Sequence, residues 1–177
     1  MIKGENVDLK PFSQEDHEFL YKWNNDPEYT GEYEPHEPIT KKELKEWLQK
    51  DKPGQNWYII QTKKGQKIGQ IVTRDKKDNT TQIGYRVIPP ARNKGYCTAA
   101  VNTLINHNFS NLTTHRITAE ANPRNKASTR VLEKTGFTQT DYKEKAVKIN
   151  EVWMDGSIYT LQKSDWLKAR RKAHPRC

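Results

Sequence analysis

Ile83 to Phe109, IGYRVIPPARNKGYCTAAVNTLINHNF, reads as a strand, a proline stop, a basic glycine loop and a helix. Ile83, Tyr85 and Val87 alternate with Gly84 and Arg86, and Ile88 extends the run, which predicts a strand with one apolar face. Pro89 and Pro90 end it, because neither can donate a ladder hydrogen bond. Val101, Leu104, Ile105 and Phe109 then fall on one face at helical spacing. Between them lies Arg92-Asn93-Lys94-Gly95-Tyr96-Cys97. The first N–H groups of a helix are unpaired and its dipole favours negative charge there, so this loop suits a phosphate. A plain strand-to-helix connection that needs a glycine to turn fits the same residues.

Working outward, the chain of 177 residues is long enough for one domain with a real core. No apolar run approaches the roughly eighteen residues of a membrane span, and MIKGENVDLK lacks the apolar core of a signal peptide. A cytoplasmic protein is expected. Two cysteines, Cys97 and Cys177, make neither a disulfide framework nor a zinc set, and no other metal-ligand spacing is visible. The net charge of +9 is unevenly spread. Residues 1–50 hold twelve Asp and Glu against seven Lys, a net of −5, so the remaining 127 residues carry +14. That division favours a cationic partner for the first part and an anionic one for the second.

Before the central stretch, residues 5–12 alternate as a short strand. Ser13 caps a helix that turns Phe19, Leu20 and Trp23 inward. The segment Glu28 to Pro38 is acidic, aromatic and loop-like, a rim for a cationic ligand rather than core; Glu28, Tyr33, Glu34 and His36 are its candidate contacts. Thr40 and Glu43 form a capping box for a helix with Leu44, Trp47 and Leu48 inward. Strands over Trp57–Gln61 and Lys67–Thr73 flank a hairpin turn at Lys63-Lys64-Gly65. After the long helix, about 97–109, come a strand over 116–121, a helix around Ser128–Lys134 closed by Gly136, and a final antiparallel pair. Residues from about 163 to 177 form a basic tail, more consistent with a solvated end than with RNA binding. The expected fold is therefore a single α+β domain over residues 1–177. A mostly antiparallel twisted sheet is flanked by helices, and one helical crossover makes the strands at 80–88 and 116–121 parallel.

Three blocks resemble the GNAT acetyltransferase superfamily, in its RimJ/RimL-like branch. Arg92 to Cys97 resembles the family's Arg/Gln-x-x-Gly-x-Gly/Ala loop, with Cys97 departing at the last small position. Asn122-Pro123-Arg124-Asn125-Lys126-Ala127-Ser128, followed by Val131-Leu132-Glu133-Lys134-Thr135-Gly136-Phe137, is similar to the family's Asn-x-x-Ser-x-x-Val-Leu-Glu-Lys-x-Gly-Phe block. Trp23-Asn24-Asn25-Asp26 and the late Asp155-Gly156, Tyr159 and Asp165-Trp166 match more loosely.

The resemblance implies a GNAT-like fold and transfer of an acetyl group from acetyl-CoA to a primary amine in a ternary complex. The acceptor would be a protein N-terminus or a small cationic amine such as a polyamine or aminoglycoside; the enzyme would be a monomer or homodimer, with no metal, membrane or nucleic acid required. Arg92, Asn93, Lys94, Gly95, Tyr96 and Cys97 would wrap the pyrophosphate. Val87 and Ile88 would pair with pantetheine amides, the Ile88 N–H or its neighbour polarising the thioester carbonyl. Gly95 would avoid crowding the phosphate or the turn. Asn125 would cap its helix and bond the pantetheine arm, and Ser128 would protonate the departing thiolate. Leu132 stands where some relatives carry a tyrosine acid. Glu120 is the first candidate for the base, with Glu34 and His36 behind it. A non-catalytic acyl-CoA-binding or RNA- or ribosome-associated protein on the same fold is the alternative.

Overall fold

The computed structural model describes residues 1–50 and 52–173. Eight strands, β1 (Ile2–Lys3), β2 (Val7–Pro11), β3 (Gln55–Thr62), β4 (Lys67–Lys76), β5 (Thr80–Val87), β6 (Arg116–Ala121), β7 (Thr138–Ile149) and β8 (Val152–Gln162), form one sheet in the order β1-β2-β3-β4-β5-β6-β8-β7. Six helices accompany them: α1 (His17–Asn24), α2 (Pro27–Thr30), α3 (Lys41–Gln49), α4 (Tyr96–Asn111), α5 (Lys126–Lys134) and α6 (Lys163–Ala173).

Every pairing is antiparallel except β5 with β6, which α4 connects. A parallel partner needs a long crossover, and α4 supplies it. The parallel ladder runs only from Thr80↔Arg116 to Ile83↔Ala119. Beyond Ile83, β5 continues against β4 alone, and beyond Ala119, β6 continues against β8 alone. The sheet therefore opens into a V between Gly84–Val87 and Glu120–Ala121.

Two apolar layers sandwich the sheet. Ile71, Ile83, Val87, Ile117 and Ala119 pack with Val101, Leu104, Ile105 and Phe109 of α4 and Leu132 of α5. On the opposite face, Ile59 packs with Leu20, Trp23, Tyr29 and Leu44 from α1–α3. The Thr40–Glu43 capping box opens α3 as expected. Gly136, at φ 91°, follows α5 in the left-handed form that glycine tolerates. An ion pair fixes the start of α1 to the sheet: Asp16, fully buried, meets Lys67 of β4 at 2.6 Å. Burial opposes its charge, but hydrogen bonds from Lys67 and Ser13 outweigh burial and hold the carboxyl below its ordinary pKa.

Three expectations are corrected. Phe19 is 41% exposed rather than inward, since α1 turns only Leu20 and Trp23 to the core and Lys67 lies over the Phe19 ring. Tyr29 is core, because Pro27–Thr30 coils into one helical turn and stacks its ring on Trp23 at 5.4 Å. Residues 163–173 of the expected tail are helical, anchored where Trp166 meets Phe109 and donates to Asn106 at 3.1 Å. Residues 174–177, including Cys177, lie outside the described residues.

Candidate active site

The V in the sheet leaves one stretch of β5 backbone without a neighbour. Antiparallel ladders alternate, so successive residues direct their N–H and C=O to opposite sides. The Ile88 N–H donates to Ile68 O at 2.9 Å, so Ile88, Arg86 and Gly84 bond towards β4. Tyr85 and Val87 therefore present their backbone groups to the cleft. This corrects the role expected of Ile88: its N–H is engaged, and Pro89 has none. The Val87 backbone does face the cleft, as does that of Tyr85.

The loop after β5 is shaped by handedness. Asn93 and Gly95 have φ of 58° and 76°. A Cβ built on Gly95 would meet nothing within 4 Å, so crowding within the turn is not the reason for glycine. The left-handed backbone is, and an open approach follows from it. The first helical bond runs from Ala99 N to Gly95 O, which leaves the N–H groups of Tyr96, Cys97 and Thr98 ahead of it. Lys94 is exposed beside them. The Arg92 guanidinium turns away and donates to the carbonyls of Glu28 and Tyr29 at the end of α2. Arg92 thus serves the loop through its backbone and ties it to the α1–α3 side. Tyr96 and Cys97 pack partly into the core. Burial pushes the Cys97 thiol up to about 11, against the pull of Arg92, so it stays protonated near neutrality.

Across the cleft, Asn125 caps α5 by accepting from Ser128 N at 3.1 Å. The Ser128 hydroxyl lies 3.3 Å from the Tyr85 hydroxyl. Burial raises the Tyr85 phenol well above its ordinary pKa, so both hydroxyls keep their protons. Asn122 is buried, its Oδ1 accepting from Arg124 N at 2.8 Å, while its Nδ2 has no partner among the described residues. A buried unpaired amide costs stability unless a ligand completes it.

A cavity of about 550 Å³ lies beside these groups. Ser128, Asn125 and Glu120 line it, and Glu120 accepts from Gln82 at 2.8 Å. Of the four candidate rim contacts, Tyr33 and Glu34 reach it, Glu34 pairing with Arg86, and Pro35 and Glu37 of the same segment line it as well. Glu28 and His36 do not: Glu28 contributes a carbonyl to Arg92, and the His36 ring meets Thr30 Oγ1 at 3.1 Å. Asn25 holds this segment in place, exchanging hydrogen bonds of 2.9 and 3.0 Å with the Ile39 backbone. Sequence reasoning missed Gln70, Arg86, Trp47, Trp57 and Asp155, which also line the cavity. The available signals are a polar Gln70 inside the apolar run Ile68–Val72 and the loose family match at Asp155-Gly156. Asp155 is aimed by a bulge in β7: it accepts from Tyr142 Oη at 2.6 Å and Lys145 N at 2.9 Å, the first of which chiefly lowers its pKa.

Among the described residues no His, Cys, Asp and Glu cluster at metal-binding distance, and no helix is long and apolar enough to cross a membrane.

A strand edge opened by a V, a left-handed glycine at a helix start and a cavity beside both define a site for an extended phosphorylated ligand and a smaller partner. Residues 6–138 match the model of the acetyltransferase (GNAT) domain. The chain is 26% identical over 161 residues to the uncharacterized N-acetyltransferase YnaD of Bacillus subtilis, covering 89% of this chain and 94% of that one. It is 41% identical over 86 residues to the probable N-acetyltransferase YjcK of the same organism, about half of each chain. Its fold is similar to a GNAT-family acetyltransferase from Bacillus anthracis, with a TM-score of 0.80 and 25% identity over 92% of this chain and 98% of that one. A spermidine N-acetyltransferase from Vibrio cholerae, solved with CoA and spermine, gives a TM-score of 0.84 at 18% identity, again over 92% and 98%. This chain belongs to the GNAT acetyltransferase family and is an N-acetyltransferase.

Proposed function

We propose that the chain transfers an acetyl group from acetyl-CoA to a primary amine by direct attack in a ternary complex, in the manner of the RimJ/RimL-like branch and in the cytoplasm. The observation that carries this reading is the unpaired edge of β5 at Tyr85 and Val87, which opens onto Ser128 and Glu120 on one side and leads to the Gly95 loop on the other.

Acetyl-CoA supplies an activated thioester and phosphates, and the residues fit both. Asn93, Lys94, Gly95, Tyr96 and Cys97 receive the pyrophosphate through backbone N–H groups at the start of α4. The backbone of Val87 and Tyr85 pairs with pantetheine amides, and one of these N–H groups polarises the thioester carbonyl. Asn125 and the unpaired Nδ2 of Asn122 lie on the opposite wall of the cleft, within reach of the same arm. Glu120, fixed by Gln82, takes a proton from the arriving ammonium. The neutral nitrogen then attacks the carbonyl carbon, the C–S bond breaks, the thiolate takes the Ser128 hydroxyl proton, and the proton that the attacking nitrogen sheds on becoming an amide restores the Ser128 hydroxyl. Tyr85, hydrogen-bonded to Ser128, orients or replenishes that proton. The products are an N-acetyl amide and the free thiol. Holding both reactants in one cleft supplies much of the acceleration. The acceptor is a protein N-terminus or a small amine, and Tyr33 and Glu34 border its path.

Thiol release from acetyl-CoA, measured over N-terminal peptides, polyamines, aminoglycosides and amino acids, tests the reading. Release driven by one amine class and lost in Ser128→Ala and Gly95→Glu is the expected result. Release indifferent to both substitutions contradicts it.

A further inference from the structure

The segment that borders the acceptor cavity has little regular structure to hold it. Gly31 to Thr40 forms neither helix nor strand. Tyr33, Glu34, Pro35 and Glu37 of this segment line the cavity, so its position sets the cavity's shape. What fixes it is therefore a question about the acceptor.

Some of the holds are internal. Asp26 caps α2 by accepting from Glu28 N at 2.9 Å, and Thr30 Oγ1 meets His36 Nδ1 at 3.1 Å. Asn25 secures the far end at Ile39. These bonds fold the segment on itself and against the end of α1. None of them reaches the sheet.

Two arginines make that connection, and both come from β5 or the loop that follows it. Arg86 pairs with Glu34 in the middle of the segment. Arg92 donates to the Glu28 and Tyr29 carbonyls at its root, the second at 3.4 Å. Among the described residues no backbone N–H reaches either carbonyl. A guanidinium is a planar fork of donors, suited to two neighbouring carbonyls at a helix end. The Tyr29 ring is meanwhile buried and stacked on Trp23. With the ring held on one side and the carbonyls on the other, the direction in which the chain leaves α2 at Gly31 is set.

Arg92 stands in the basic loop proposed for the phosphates, yet its guanidinium points to α2. Lys94 is the exposed cation beside the N–H groups of Tyr96 and Cys97. The loop thus divides its two charges between two tasks. Arg92 does not line the acceptor cavity either, so any effect it has on the acceptor passes through the rim.

We propose that Arg92 is a positioning residue for the acceptor side. Its side chain sets the rim segment over the cavity and takes no part in holding the cofactor's phosphates. This rests on the transferase reading above and adds to it a residue that acts on the acceptor from within the cofactor loop.

The test separates the two substrates. Spermidine, kanamycin and an alanine-led hexapeptide are compared as acceptors and the fastest is carried forward, while CoA affinity is measured by calorimetry. Arg92→Met keeps the apolar stem and removes the donors. It should raise KM for the acceptor roughly tenfold while kcat and CoA affinity stay within about twofold of wild type, the pattern of lost ground-state positioning. Arg92→Lys, which still donates to a carbonyl, should recover part of the loss. A Glu-specific protease supplies a reading that needs no acceptor, because Glu32, Glu34 and Glu37 lie in the rim. Cleavage there should be several-fold faster in Arg92→Met than in wild type at an unchanged melting temperature, since cleavage follows local opening. An unchanged acceptor KM overturns the proposal, as does a loss of CoA affinity equal to the loss for the acceptor. Faster cleavage throughout the chain with a lowered melting temperature overturns it too, by showing a general loss of stability. If CoA binds but none of the three amines is acetylated, the cleavage pattern decides, and rim cleavage equal to wild type sinks this proposal alone. If wild type does not bind CoA, the transferase reading falls first and takes this one with it.

Discussion

The two sides of the cleft are built by opposite means. The side proposed for the cofactor, from Val87 to Cys97 and across to Asn125, offers backbone groups, helix starts and a left-handed glycine. The side proposed for the acceptor offers side chains brought together from β3, β4, β5, β6 and β8 and covered by α1–α3. A backbone site depends on local conformation and tolerates change in most of its side chains. A side-chain site depends on register between distant strands, and each residue in it is replaceable. The first kind suits a ligand that never varies, the second a ligand that differs from one family member to the next.

The comparison predicts unequal responses. The largest concerns the anchor of the acceptor side. Asp16→Asn leaves Lys67 without its partner in a buried site and should cost about 3–5 kcal/mol, read from denaturant unfolding. The same anchor sets an acid limit. Asp16 is held below its ordinary value, and Asp8 is lowered to about 2 by Lys3 and Lys63. Carboxyls with depressed folded-state pKa values stabilise fully above about 3.8 and lose that contribution as pH falls towards 2. Melting temperature should therefore drop steeply in that window, and Asp16→Asn should flatten part of the drop.

Next in size, Gly95→Glu should raise KM for acetyl-CoA roughly 100-fold by placing negative charge and a disfavoured backbone at the proposed phosphate site. Its effect on acceptor KM should be small; an equal change in both would mean the two sides are not separable. Ser128→Ala should then lower kcat by roughly tenfold, less than a lone general acid would give, because Tyr85 remains nearby. An unchanged kcat would remove Ser128 from the proton path. The smallest effect is at Asn125→Ala, where loss of the α5 cap should cost about 1 kcal/mol in unfolding. A larger penalty on acetyl-CoA affinity than on stability would show Asn125 to be more than a cap.

The same contrast decides what could be read from the sequence. Gly95, Asn125 and Ser128 sit in contiguous motifs, and the strand, crossover and capping signals around them are local, so the parallel β5–β6 pairing, the Gly95 turn and the Asn125 cap were legible. Gln70 and Arg86 are sixteen positions apart and meet only through the β4–β5 register. Nothing in either neighbourhood announces the pairing. Tyr29 was misread for a related reason: in an acidic, polar stretch it looks like rim, yet a four-residue helix with Asp26 as its cap turns it into the core. Ile88 was misassigned because the direction of a strand N–H depends on which neighbour it pairs with, a fact of topology and not of composition.

The opening in the sheet bears on association as well as catalysis. A bare strand edge invites another chain to pair with it, and proteins guard such edges. The outer rims here are guarded in the ordinary ways: β1 is two residues long, and β7 carries Lys143, Lys145 and Lys148 around a bulge. The inner edge at Gly84–Val87 has no bulge, and its one charged side chain, Arg86, is engaged by Glu34; the edge is four residues long, sits mid-sheet, and has α4 and α5 on one face and α1–α3 on the other. A small extended molecule can enter there, while a polypeptide with side chains on both faces cannot. The fold keeps one unsatisfied edge available for its ligand without exposing that edge to self-assembly.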